Sequence, residues 1–131
     1  MAREFHYGYI EKKEVVAFIA THKDYITMHE LTFFEISFAL AVTYFAAQKI
    51  DYALIEVGMG GRLDATNIVK PILSVITNIG LDHTQFLGST HTAIAGEKAG
   101  IIKRNIPVVI GEEDPDTRLV FETHAKKKNA P

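Results

Sequence analysis

Cysteine is absent from this chain. Its absence rules out a disulfide framework and a thiolate metal site, and it fits a reducing compartment. The first residues, MAREFHYGYIEKK, lack the apolar core that a secretion signal needs, so no signal peptide is expected there. A long uncharged apolar run is missing too. The most apolar segment, residues 31–47, is interrupted by Glu35, Ser37 and Thr43, and is too short and too mixed to span a membrane. Clustered positive charge is scarce. The net charge is −2, and the one basic run is Lys126, Lys127 and Lys128 near the end of the chain. That run reads as a solvated helix terminus, where cations suit the helix dipole. Nothing resembles a nucleic-acid footprint, which needs a basic face.

What is present is core-forming material. Of 131 residues, 47% are hydrophobic, enough for one packed domain or a piece of one. Residues 3–10 alternate loosely, with Phe5, Tyr7 and Tyr9 on one side, and read as a weak strand. Residues 13–22 place Val15, Val16, Phe18 and Ile19 at helical spacing. Residues 31–49 predict a long helix that is apolar almost all round, which implies burial on most sides. Its small or polar stripe is Thr32, Glu35, Ala39, Thr43 and Ala46.

Three apolar runs follow, at residues 52–57, 72–76 and 108–110, with a helix predicted over 92–102 between the last two. Continuous apolar strands separated by helices indicate a mostly parallel sheet flanked by helices and covered on both faces, an α/β class. Such crossovers are nearly always right-handed. A last helix is predicted over 116–128, its start marked by Pro115 and Asp116.

In open α/β sheets, ligands bind beyond the carboxyl ends of the strands. After the first run come Glu56, Gly58, Gly60, Gly61, Arg62, Asp64 and Asn67; after the second come Thr77, Asn78, Asp82 and His83. These two clusters are expected to share a cleft. The glycines alone are consistent with a tight turn needing positive φ. The phosphate-loop pattern G-x-x-x-x-G-K-[ST] occurs nowhere, and G-x-G-x-x-G fails because Leu63 stands in its last position.

Glu56 carries more information. A carboxylate in an apolar strand must be paired or bind a cation. Two readings stand: a salt bridge with Arg62, or magnesium, which needs only a few protein ligands and keeps several waters. His83 is either structural or a ligand whose ring Asp82 orients. Lys98 is either a snorkelling lysine or a cleft group made accessible by the small neighbours Ala95 and Ala99. The zinc pattern HExxH is not formed, since Phe33 stands at the fifth position after His29-Glu30. His6, His22, His29, His91 and His124 read as surface residues.

Taken together, LTFFE at Leu31, EVGMGGRLDATN at Glu56, SVITNIGLDH at Ser74, LG at Leu87, EKAGIIK at Glu97 and IPVV at Ile106 resemble the folylpolyglutamate synthase/dihydrofolate synthase family of the Mur ligase superfamily. The order and spacing hold from about Tyr9 to Gly111.

The resemblance implies a partial P-loop-type Mur ligase ATPase domain over residues 1–131. It implies a cytoplasmic enzyme that uses ATP and Mg2+ to join L-glutamate to folate or dihydropteroate through an acyl phosphate. Another Mur-type acid–amino acid ligase, or a non-catalytic interaction module, stands as the alternative. By motif, Glu56 and His83 match the family's magnesium ligands. Lys98 matches a lysine carried as a carbamate, an anion able to hold a second metal ion. Asp64 and Asn67 match positions near the nucleotide site, and Glu35 matches a motif residue whose role the resemblance leaves open. The family's phosphate loop, early substrate-loop elements and C-terminal domain have no counterpart here. This chain alone is therefore expected to be inactive, and its unpaired sheet edges are expected to favour self-association.

Overall fold

The computed structural model describes residues 8–112 and 114–131. The expected strand over 3–10 and His6 lie largely or wholly outside them. The chain forms two compact units that meet in sequence at Leu54 and Ile55.

The first unit holds two helices, α1 (Lys12–Met28) and α2 (Phe33–Gln48). The start of α2 is written in LTFFE. The Thr32 hydroxyl accepts the Glu35 N–H at 3.3 Å, and the Glu35 carboxylate accepts the Thr32 N–H at 2.8 Å. This reciprocal capping box satisfies amide groups that a helix start leaves without partners. Lys49 ends the helix in the left-handed conformation at φ 51°. The expected burial of this apolar helix is not realised. No residue of α2 is buried, and Phe33 is 86% exposed. Within its unit α1 is the one described element packed against it, and a helix pair has no third layer to cover the other faces.

The second unit contains the sheet. β1 (Ser74–Ile76) pairs in parallel with β2 (Val108–Ile110), with Ser74 opposite Val108 and Ile76 opposite Ile110. Between them lie α3 (Thr84–Leu87), α4 (His91–Lys98) and a 3₁₀ turn, Ala99–Ile101; α5 (Pro115–Lys128) follows β2. Asp114 caps α5 by accepting the Asp116 N–H at 2.8 Å, and Pro115 sits at its first turn. The basic run occupies the last turn of α5, as its charge predicts.

Ile76, Ala95, Ala99, Ile102 and Phe121 form the buried cluster, which ties the sheet to α4, the 3₁₀ turn and α5. One sheet face is covered rather than both. Ser74 and Ile76 are buried, while Val75 and Val109 are about half exposed. Residues 52–57 are a further correction. They join no ladder among the described residues, and Leu54 is 99% exposed. Apolar β-branched character favours a strand only where a neighbouring strand completes its hydrogen bonds. No described helix is long and apolar enough to cross a membrane.

Candidate functional site

The two strand-end clusters do meet. Val57, Gly58, Met59 and Gly60 from the glycine turn line one cavity of about 260 Å³ with Asn78, Asp82, His83 and Lys98. Leu87 and Ile94 supply its apolar wall. Residues some forty positions apart in sequence thus share one recess on the second unit.

His83 is held in an unusual backbone state. Its φ of 51° lies in the left-handed region, where a non-glycine residue is uncommon. The turn is secured by Asp82, whose Oδ1 accepts the His83 N–H at 2.7 Å. Asp82 Oδ2 stands 3.8 Å from His83 Nε2, an ion-pair distance rather than a hydrogen bond. The imidazole therefore sits beside a carboxylate at the mouth of the cavity. Lys98 is the last residue of α4, partly buried, with its cation at the favourable end of the helix dipole.

Glu56 is exposed, and it precedes Val57 without itself lining the cavity. The alternative pairing with Arg62 is not made. Arg62 instead grips Glu97, with Nε 3.2 Å from both carboxylate oxygens and Nη2 3.0 Å from Oε1. Sequence reasoning missed Glu97, because its partner lies 35 positions away.

Asp64 and Asn67 turn inward to the protein. The Asp64 carboxylate accepts the Met59 N–H and the Thr66 N–H, each at 2.9 Å, and the Thr66 hydroxyl. Burial pushes its pKa up, but the bonds from Thr66, Met59 and Gly58 outweigh it and hold the group below its ordinary value. Asn67 Nδ2 donates to the carbonyls of Arg62 at 3.0 Å and Gly100 at 3.2 Å. Lys103 Nζ donates to the Asn67 carbonyl at 2.7 Å. Burial, followed by the nearby charge of Lys128, lowers the Lys103 pKa.

The glycines serve turning and close approach. Gly60 has φ +67°. A Cβ on Gly61 would lie 2.8 Å from the Glu97 carbonyl oxygen, and one on Gly100 would collide with Arg62 Cα. Both are closer than real Cβ contacts allow, so loop and helix end touch backbone to backbone.

The donor set suits a hard cation only in part. Among the described residues no three His, Cys, Asp or Glu side chains converge as a ready metal cage. Magnesium does not need one, since it is held by one or two carboxylates with substrate phosphates and water. Asp82 and Asn78, whose side chains carry oxygen donors, line the cavity with His83, and Glu56 directly precedes its lining residue Val57.

A strand-end recess in an α/β unit, lined by a glycine turn, Asn78, Asp82, His83 and the helix-terminal Lys98, lies where open α/β sheets place their ligands. The chain belongs to the Mur ligase middle domain family, whose model matches residues 4–130. It is 58% identical over 90 residues to the dihydrofolate synthase/folylpolyglutamate synthase of Haemophilus influenzae, covering 68% of this chain and 21% of that protein. With the protein of the same description from Bacillus subtilis it shares 50% identity over 101 residues, covering 76% of this chain and 24% of the relative. The structure of Escherichia coli FolC in complex with DHPP and ADP matches 92% of this chain and 29% of its own, with TM-score 0.83 and 36% identity. The chain thus spans about a quarter or less of the length of these two sequence relatives.

Proposed function

We propose that this chain is the metal-side wall of the ATP cleft in a ligase that joins L-glutamate to folate or dihydropteroate. The carrying observation is the shared cavity, in which the turn after Glu56 meets His83 and Lys98. The similarity to relatives described as folylpolyglutamate and dihydrofolate synthases supports the choice of substrate class.

In this reading the acid is activated by phosphoryl transfer from ATP, and the amine of glutamate then displaces phosphate. Such chemistry depends on positioning and charge neutralisation more than on covalent help from the protein. Glu56 and His83 would hold Mg2+, with Lys98, as a carbamate, holding a second ion. The ion's contribution is to neutralise charge on the phosphate oxygens. The chain's own residues do the rest. Asp82 fixes the His83 backbone, and the glycine turn leaves the Glu56 carboxylate open to solvent. Leu87 and Ile94 keep one wall of the recess apolar.

A chimera tests this directly. This chain replaces its matching segment in the Haemophilus influenzae relative, and ATP-dependent addition of glutamate to dihydropteroate and to folate is measured. The chimera is expected to ligate at least one acid, and Lys98→Ala is expected to lower kcat by about a hundredfold or more. A folded chimera that ligates neither acid, or one indifferent to Lys98→Ala, overturns the reading.

A further inference from the structure

We infer that Asn67 is a positioning residue for Lys98: the loop after Glu56 caps the C-terminal carbonyls of the Lys98 helix from outside and so fixes where the lysine enters the cavity. The inference rests on the reading of that cavity as the ligase cleft.

A helix leaves its last carbonyls without intrahelical partners. Here partners from distant sequence add to the local bond of the Ala99 N–H, one at Glu97 and two on the 3₁₀ turn that continues the helix. The Glu97 carbonyl accepts the Arg62 N–H at 2.9 Å. The Gly100 carbonyl accepts Asn67 Nδ2 at 3.2 Å, and the Ile101 carbonyl accepts the Ser74 hydroxyl at 2.9 Å. Lys98 lies between the first two of these grips. A Cβ on Gly61 would stand 3.1 Å from the carbonyl oxygen of Lys98 itself.

Asn67 is the hub of this arrangement. Its amide joins the carbonyl of Arg62 in the loop to that of Gly100 on the helix end. Its own backbone carbonyl is held by Lys103. An asparagine amide supplies two donors from one nitrogen, which is what bridging two carbonyls requires. This gives Asn67 a role that its place in the motif leaves open.

Competitive acetylation of the whole chain, read lysine by lysine by mass spectrometry, tests the inference. Exposed Lys12, Lys49 and Lys126 serve as internal references. In Asn67→Ala the Lys98 rate relative to the references is expected to rise by about threefold or more, through easier local opening. Gly100→Ala, which forces the loop off the helix, is expected to act in the same direction. Thr66→Ala weakens the same loop at Asp64 without touching the helix end, and is expected to leave the ratio unchanged. An unchanged ratio in folded Asn67→Ala, or an equal rise in Thr66→Ala, overturns the inference. If Asn67→Ala fails to fold, all lysines reach the reference rate and Gly100→Ala decides the matter by the same ratio. Labelling requires no catalysis, so failure of the ligase reading in the chimera leaves this result separately readable.

Discussion

Arg62 lays its guanidinium on the Glu97 carboxylate, making three contacts of 3.0 to 3.2 Å from one side chain. The pair joins the glycine loop to the end of α4, beside Lys98. The arginine is 56% exposed and the glutamate 27%, so solvent screens much of the attraction. Geometry, rather than charge alone, carries its value. Arg62→Lys keeps the charge and loses the fork, and is expected to destabilise the chain by about 0.5–1 kcal/mol. Urea unfolding of the two proteins at equal ionic strength measures this.

Two glycines should respond oppositely to the same substitution. Gly61→Ala drives a Cβ to 2.8 Å from the Glu97 carbonyl oxygen and 2.9 Å from Ile101 Cγ2. Overpacking against backbone is expected to cost about 1–3 kcal/mol. Gly96, inside α4, has open space where its Cβ would be. Gly96→Ala is expected to stabilise by about 0.5–1 kcal/mol through helix propensity. Thermal midpoints should therefore move in opposite directions.

The capping box of α2 gives a pH-dependent test. The Thr32 hydroxyl, then the Thr32 N–H, hold the Glu35 pKa below its ordinary value. A depressed folded-state pKa contributes stability that is present above the unfolded value and lost as pH falls through the folded one. Thr32→Ala is expected to lower stability at neutral pH by removing the cap. The gap should narrow as acid titrates Glu35, which unfolding curves across the acid range will show.

Asp64 follows the same sign at the other unit. Its carboxylate accepts from Met59 and Thr66, and its pKa is held low against the opposing push of burial. Asp64→Asn keeps the shape but loses one acceptor oxygen, and is expected to destabilise by about 1.5 kcal/mol at neutral pH. That difference should shrink as pH falls through the lowered Asp64 pKa. Hydrogen exchange at Met59 and Thr66 locates the effect.

Much of this was legible in the sequence because it is local. Helical periodicity placed α1 and α5 to within a few residues, apart from the longer C-terminal end of α1. The apolar runs at 72–76 and 108–110 contain the paired strands. Glu35 was visible as a motif residue, and the T-x-x-E spacing that makes it a helix cap stood in the same five letters. Residues 52–57 failed as a strand because a ladder is a property of two segments, and periodicity reads one. The inward roles of Asp64 and Asn67 were illegible for the same reason. Asn67 bonds to Gly100, 33 positions on, and no spacing rule reaches that far. His83 was readable as a candidate through its place at a strand end, and Lys98 through its small helical neighbours Ala95 and Ala99, while their shared cavity required the fold.

We propose that Glu56, His83 and Lys98 face one metal-binding cleft, the first two toward one ion and Lys98, as a carbamate, toward a second. Titration of the isotopically labelled chain with Mn2+, followed by paramagnetic broadening of side-chain signals, tests it most directly. Glu56, His83 and Lys98 are expected to broaden together at the lowest metal concentrations, and excess Mg2+ is expected to reverse the effect. Broadening that spares His83, or that falls first on surface acids such as Asp116 and Glu122, would contradict it.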